Sequence, residues 1–183
     1  MSAELNETQK EFLLGLARRA IEHSFKAGGR LRSGTDDPVL KEKRGAFVTL
    51  KIGGELRGCI GYPLPYKPLD EAVMEMAVAA AGQDYRFAPL EPEELARTTI
   101  EISVLTVPKP VKDPHDVEVG RHGIIVAKGD RQGLLLPQVP VEYGWSCETY
   151  LCHGCLKAGL PEDEWKRGAR IEVFEAQVFS EGD

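Results

Sequence analysis

Apolar positions along this chain recur with two periods, and the periods alternate. Between residues 7 and 27, Leu13, Leu16, Ala17, Ala20 and Ser24 fall on one helical face and charges fill the rest, which predicts an amphipathic helix. Asn6 can cap its start, Glu7 stands in the first turn, and Gly28-Gly29 would stop it. RLRSGTDDP then offers turn formers and few apolar anchors, so a loop is expected. AFVTLKI (46–52) and ELRGCI (55–60) are two apolar runs joined by Gly53-Gly54, the pattern of a β-hairpin. The prolines of GYPLPYKP cannot continue that ladder. LDEAVMEMAVAAAG predicts a helix with a stripe of Leu69, Val73, Met76, Ala77 and Ala80, small enough for close packing on a sheet. EPEELAR allows one more helical turn, and the β-branched TTIEISVLTV (98–107) reads as a strand.

The same order then recurs. HGIIVAK (122–128), a GDRQ turn and GLLLPQV (133–139) form a second hairpin. EYGWSCETYLCHGCLKAG is a second helix, closed by Gly159 with Pro161 just beyond. PEDEWKR is a short helical turn and ARIEVFEAQVF a final strand. PEELARTTIEISV aligns with PEDEWKRGARIEVF, an acidic turn leading into Ile-Glu-Ile or Ile-Glu-Val. Two copies of hairpin, helix, short helix and strand are expected, roughly 45–107 and 120–180. Such small units would share one core, so a single α+β domain spanning 1–183 is expected, with room for a two-lobed organisation.

Composition narrows the function classes. At 183 residues, with 42% hydrophobic and 28% charged positions, the chain is an ordinary globular one. A net charge of −6 without a Lys/Arg cluster argues against nucleic acid as a partner. No stretch approaches the roughly 20 apolar residues of a membrane span, and the polar, acidic N-terminus is unlike a secretory signal. A cytoplasmic chain with reduced thiols is expected.

The four cysteines fall at 59, 147, 152 and 155. Cys147, Cys152 and Cys155, with His153 beside them, have the spacing of the first three ligands in a plant-type iron–sulfur site. On a helix, however, eight residues rise about 12 Å, too far for one metal with bonds of about 2.3 Å. The helical period instead puts Cys147, Leu151 and Cys155 on one apolar face. The Cys152–Cys155 pair also spells a redox CxxC. It lies in the second half of its helix, where the dipole opposes a thiolate. No metal and no cofactor are expected. Cys59 stands apart. The two-residue strand period makes it a neighbour of Arg57, whose charge would favour a thiolate. Gly58 and Gly61 leave the backbone open to a ligand. The competing account is that the glycines serve a tight bend and Cys59 fills the core. His122 is the histidine that could approach it in space.

LRGCIG (56–61) followed by a Pro-rich loop resembles the AMMECR domain family, as do DYRFAPL (84–90), EISVLTVP (101–108), VGRHGIIV (119–126), GLLLPQVPVEYGW (133–145), CLKAGLP (155–161) and Trp165 followed by IEVFEAQVF. These motifs cover nearly the whole chain, and the short microbial members look most similar. The resemblance implies an α+β fold with a single barrel-like, mostly antiparallel sheet built from two duplicated β3-α2-β units, helices outside. It carries no established activity. It implies association with Memo-like and radical SAM proteins in one pathway.

The leading expectation is an enzyme-like or ligand-binding domain acting on a small polar or anionic molecule near LRGCIG. Cys59 and Glu101 are the candidate catalytic groups. Arg57, Arg86, His122, Gln138 and Glu142 are the candidate ligand-binding groups. Glu101 lies mid-strand among apolar neighbours, where a bare carboxylate is costly. Arg57 or Arg86 is its natural partner, in a site or in a structural ion pair. Gln138 and Glu142 flank the Pro-rich exit of the second hairpin as Pro63 to Pro68 follow the first, so a pocket between the two loops is expected. The alternative is a non-catalytic interaction module that uses Tyr62, Tyr66 and Trp145 as contacts. Homodimerisation is a further option.

Overall fold

A computed structural model describes residues 4–26 and 31–182; the helix stop expected at Gly28-Gly29 lies outside the described residues. In chain order the elements are α1 (Glu7–Ser24), β1 (Ala46–Ile52), β2 (Glu55–Tyr62), α2 (Leu69–Gly82), α3 (Pro92–Leu95), β3 (Thr98–Leu105), β4 (Lys109–Pro110), β5 (Gly123–Lys128), β6 (Arg131–Leu135), α4 (Gln138–Glu142), α5 (Cys147–Lys157), β7 (Arg170–Phe174) and β8 (Ala176–Ser180). They form two compact units, one running to Val107 and resuming at Gln177, the other Pro108–Ala176.

The first unit is a four-stranded sheet in the order β2-β1-β3-β8, with β1 antiparallel to both β2 and β3. Strand alternation decides which face is buried. Ala46, Val48 and Leu50 of β1 and Ile100, Ile102 and Val104 of β3 are inaccessible to solvent and share one core cluster with Leu69, Val73, Met76 and Ala77 of α2 and Leu13, Leu16, Ala17 and Ile21 of α1. Asn6 caps α1 as its sequence predicts. Its side chain accepts from the Gln9 amide at 2.9 Å, and the Gln9 side chain accepts from the Asn6 amide at 3.0 Å. The alanines of α2 let the helix lie directly on the strands. A Cβ added at Gly58 of β2 would come 2.2 Å from the carbonyl oxygen of Ala80. One added at Gly61 would strike the Phe47 ring at 2.4 Å. These two glycines therefore serve packing, not access of a ligand to the backbone.

The second unit is a sheet in the order β4-β7-β5-β6. Ile124 and Val126 of β5 share a core with Tyr150, Leu151 and Cys155 of α5, and Trp165 and Ile171 complete it. A Cβ added at Gly133 of β6 would come 2.3 Å from the amide nitrogen of Ala158. The strand orders β2-β1-β3 and β6-β5-β7 have the same connectivity, each a hairpin whose first strand also pairs with the strand that follows the helices.

Three expectations change. The final strand is two strands, β7 in the second sheet and β8 in the first, so two four-stranded sheets replace the single barrel-like one. No glycine or proline marks the switch at Glu175, which is why the run reads as continuous. The strand from Gly133 ends at Leu135 instead of 139, because Pro137 and Pro140 cannot donate to a ladder and are tolerated in the first turn of α4. The second long helix begins at Cys147, not at 142. Gly144 takes a left-handed φ of 64° between α4 and α5, and Ser146 caps α5.

The glycine under α2 generates a direct test. Gly58→Ala should destabilise the protein by about 1–3 kcal/mol, because a helix backbone and not a flexible side chain blocks the new methyl. Urea denaturation measures it. A loss within about 0.5 kcal/mol, the ordinary surface range, would mean that α2 does not rest on this strand.

Candidate functional site

Strand β2 lies at the edge of its sheet, and an edge strand has backbone groups to satisfy. Cys59 donates its amide to Asp84 Oδ2 at 2.9 Å. Its carbonyl lies 3.5 Å from Arg86 Nη2. Asp84 is delivered by the turn that ends α2, and its side chain is only 2% exposed. Its carboxylate also accepts from the Arg86 amide at 3.2 Å, from Arg86 Nε at 2.9 Å and from Arg86 Nη2 at 2.6 Å. The Arg86 guanidinium, followed by the backbone amides of Cys59 and Arg86, holds the Asp84 carboxyl well below the usual range against the opposing effect of desolvation.

Arg57 has another task. The β1–β2 register shifts between Leu50 and Lys51: Leu50 faces Gly58 while Lys51 faces Leu56, so Arg57 is the extra residue of a bulge. The bulge interrupts the two-residue period on which its pairing with Cys59 was expected. Arg57 Nε and Nη2 donate to the two Glu94 oxygens at 3.1 and 2.8 Å, Nη1 donates to the Ala88 carbonyl at 2.9 Å, and Nη2 reaches the Pro89 carbonyl at 3.4 Å. Glu94 is held below its ordinary pKa first by Arg57 and then by the Glu91 amide. Arg57 thus staples the 84–94 segment to β2, with a side chain 18% exposed.

The sheet face opposite the helices carries a polar row. Thr49 is paired in register with Cys59 on one side and Glu101 on the other. The Thr49 hydroxyl donates to Cys59 Sγ at 3.2 Å. Two strand spacings separate the Cys59 and Glu101 backbones, roughly 9–10 Å, and Thr49 stands between them. The expected arginine partner of Glu101 is corrected: Lys51 Nζ of the adjacent strand lies 2.8 Å from Glu101 Oε2, while both arginines are committed to Glu94 and Asp84. Lys51 lies on the same strand face as Thr49, two residues on, and so is nearer to Glu101 than either arginine.

His122, Gln138 and Glu142 belong to the second unit. His122 Nδ1 accepts from the Glu118 amide at 3.0 Å, so the neutral ring carries its proton on Nε2, which lies 3.9 Å from Glu175 Oε1. Gln138 and Glu142 are exposed at the two ends of α4. The Tyr150 hydroxyl lies 3.1–3.2 Å from the carbonyls of His122, Leu135 and Leu136, and burial pushes it above its ordinary pKa.

The helix cysteines are packing residues. Cys155 is fully buried, and Cys147 and Cys152 pack at the rim of the same core. Cys147 Sγ points at the Val117 carbonyl, 3.4 Å away. Burial raises the thiol pKa of both Cys147 and Cys155. Among the described residues, no group of three or more His, Cys, Asp and Glu is placed to hold a metal ion. No described helix is long and apolar enough to cross a membrane.

Asp84, Thr49, Lys51 and Glu94 were not among the sequence candidates. Asp84 had a visible signal, since DYRFAPL places it two residues before Arg86. Thr49 and Lys51 become visible only once β1 is known to lie between β2 and β3.

These features define a mixed α/β protein of antiparallel sheets, with five α-helices among the described residues and an arginine-stapled edge strand. The AMMECR1 family model matches residues 14–179, and the chain belongs to that family. A protein of Methanopyrus kandleri is 51% identical, over 99% of this chain and 92% of its own length. One of Methanothermobacter thermautotrophicus is 46% identical, over 98% and 97%. The crystal structure of an uncharacterized protein from Pyrococcus horikoshii superposes with a TM-score of 0.76 at 45% identity, covering 94% of this chain and 91% of that one.

The Asp84 clamp makes stability depend on pH. A carboxyl with a depressed folded pKa contributes stability that is fully present above its unfolded value, near 3.9 for Asp, and is lost as pH falls through the folded value. Asp84→Asn should therefore lower the urea midpoint at pH 7, and the gap to wild type should shrink below about pH 4. A gap that stays constant from pH 7 to pH 2.5 would show that the charge of Asp84 is not what stabilises the fold.

Proposed function

We propose that this protein is an enzyme-like or ligand-binding domain for a small polar or anionic molecule, held at Cys59 on the face of the first sheet opposite its helices. One observation carries the reading. The backbone of Cys59 is immobilised by a buried carboxylate and by Arg86, while the residue is half-buried and its thiol lies beside a hydroxyl donor. Such rigid presentation is what a reactive or ligand-contacting thiol requires. Arg86 lies within electrostatic reach of the thiol, and its side chain is 44% exposed. Nη1, which takes no part in its bonds to Asp84 and Cys59, is the natural anion contact. Arg57 is structural. Glu101, too distant to exchange a proton with the thiol directly, bounds the site together with Lys51.

The second unit supports this assignment. We infer that the two units are duplicated copies, related by Gly58 under the backbone of α2 and Gly133 under the end of α5. In that frame Thr49–Cys59 corresponds to Ile125–Leu134, and Glu101 to Glu172. The matching positions hold a fully buried isoleucine and a leucine, so the half-buried threonine and cysteine are particular to the first unit. His122, Gln138 and Glu142 remain candidate ligand contacts of the second unit taken by itself. A cytoplasmic setting and a pathway shared with Memo-like and radical SAM proteins are part of the same proposal and rest on the family.

Limiting iodoacetamide with mass-spectrometric mapping tests the site. Cys59 should label before Cys147 and Cys155, whose thiols burial keeps protonated. If Cys59 labels only after unfolding, it belongs to the core. Native mass spectrometry of gently purified protein should show a small-molecule adduct that Arg86→Ala abolishes. Glu101→Gln should cost no more than about 1 kcal/mol, since a half-exposed lysine pair contributes little. A loss of several kcal/mol would make Glu101 a buried strut and remove it from the site.

A further inference from the structure

The second unit carries a feature unrelated to Cys59. Tyr143 and Trp145 stack with centroids 5.1 Å apart at 18°, and Trp145 stacks on His153 of α5 at 3.9 Å and 1°. The backbone holds this ladder rigidly. The Trp145 amide donates to the Pro140 carbonyl at 2.8 Å, Gly144 supplies the left-handed turn, and Ser146 caps the next helix. The outermost ring, Tyr143, is 69% exposed, and Val141 and Leu156 are exposed nearby in the chain, at 59% and 52%. Large aromatic surface displayed on a fixed backbone costs little entropy to bind and is typical of interface anchors.

Charge decides the occupant. From Gln132 to Leu156 the chain has no lysine or arginine, while the exposed Glu142 directly precedes Tyr143 and the exposed Glu148 follows Trp145 by three residues. A nucleobase would stack on Tyr143, but its phosphates would meet the carboxylate of the adjoining Glu142, and Arg121, which Gly120 brings up against Val141, is already paired with Glu118 and Glu175. An arginine or lysine side chain gains on both counts: its cation lies over a ring face and its charge faces the two glutamates. We propose that the Tyr143–Trp145–His153 ladder is a docking ridge for a basic segment of a protein partner, with a guanidinium or ammonium seated on Tyr143 between Glu142 and Glu148. The ridge works whether or not Cys59 binds a ligand.

The test uses the full chain and the two indole N–H signals in its ¹⁵N-correlated NMR spectrum, Trp145 being assigned with Trp145→Phe. The probe is an acetylated hexapeptide of alternating arginine and leucine. The Trp145 signal should move saturably while that of buried Trp165 stays put. The citrulline version of the peptide should bind at least tenfold more weakly. So should the arginine peptide to Tyr143→Ala, a change at an exposed ring. Glu142→Gln with Glu148→Gln should weaken binding and flatten its salt dependence. The proposal fails if Trp145 does not respond, if the citrulline peptide binds equally well, if Tyr143→Ala binds as wild type does, or if hexathymidylate moves the signal more strongly than the arginine peptide.

Discussion

The contact between Gly58 and the backbone of Ala80 positions the candidate site. Where a side chain would hold helix and strand apart, the missing Cβ lets α2 settle onto β2. That approach fixes where the helix ends. Asp84 follows two residues after the last residue of α2, close enough to take the amide of Cys59. The returning segment is then tied down twice, by the Leu90 amide to the Ala81 carbonyl at 2.7 Å and by Arg57 to the carbonyls of Ala88 and Pro89. Three consecutive residues of β2 thus do three jobs. Arg57 staples the loop, Gly58 admits the helix, and Cys59 is the residue that is held.

The balance of charge around that strand follows from the same arrangement. Two arginines and two carboxylates converge at the sheet edge, and each arginine is matched to one acid. Burying Asp84 unpaired would cost several kcal/mol, since a desolvated charge keeps its penalty until a partner offsets it. Arg86 supplies that partner and is itself left partly in solvent. Arg57 is more enclosed and spends its donors on Glu94 and two backbone carbonyls. The two arginines are alike in sequence terms and unlike in availability, and the difference comes from the bulge that re-aims Arg57.

Elements defined by local chemistry were legible in the sequence. Examples are the Asn6 cap of α1, the Gly53-Gly54 hairpin, the alanine-rich stripe of α2 and the apolar face that carries Cys147, Leu151 and Cys155. Features that depend on pairing between distant segments were not. The sheet switch at Glu175 has no local signature, because Phe174 before it and Phe179 after it are both apolar and both buried. The partner of Glu101 depends on which strand lies beside β3, and Arg57 could be placed only once the register revealed a bulge. Period-two reasoning assumes an uninterrupted strand, and a single inserted residue defeats it.

The corresponding registers of the two units give this difference a functional meaning. A core row answers to packing, so the inward positions match in kind: Val48 and Leu50 beside Ile124 and Val126, Ile100 and Ile102 beside Ile171 and Val173. The row on the other face differs in burial as well as chemistry: Thr49 and Cys59 are half-buried, whereas Ile125 is fully buried. At its centre one unit has Thr49 and Cys59, the other Ile125 and Leu134, while the glutamate of the third strand is present in both. Among the described residues, the first of these rows has a buried aspartate clamping its edge strand at the cysteine, with Arg86 paired to it. In the second unit the distinctive exposed chemistry lies elsewhere, on the aromatic ladder between α4 and α5. The two halves share a framework of backbone contacts at paired glycines, and they have placed different side-chain chemistry on it: a fixed thiol on one, a fixed aromatic surface on the other.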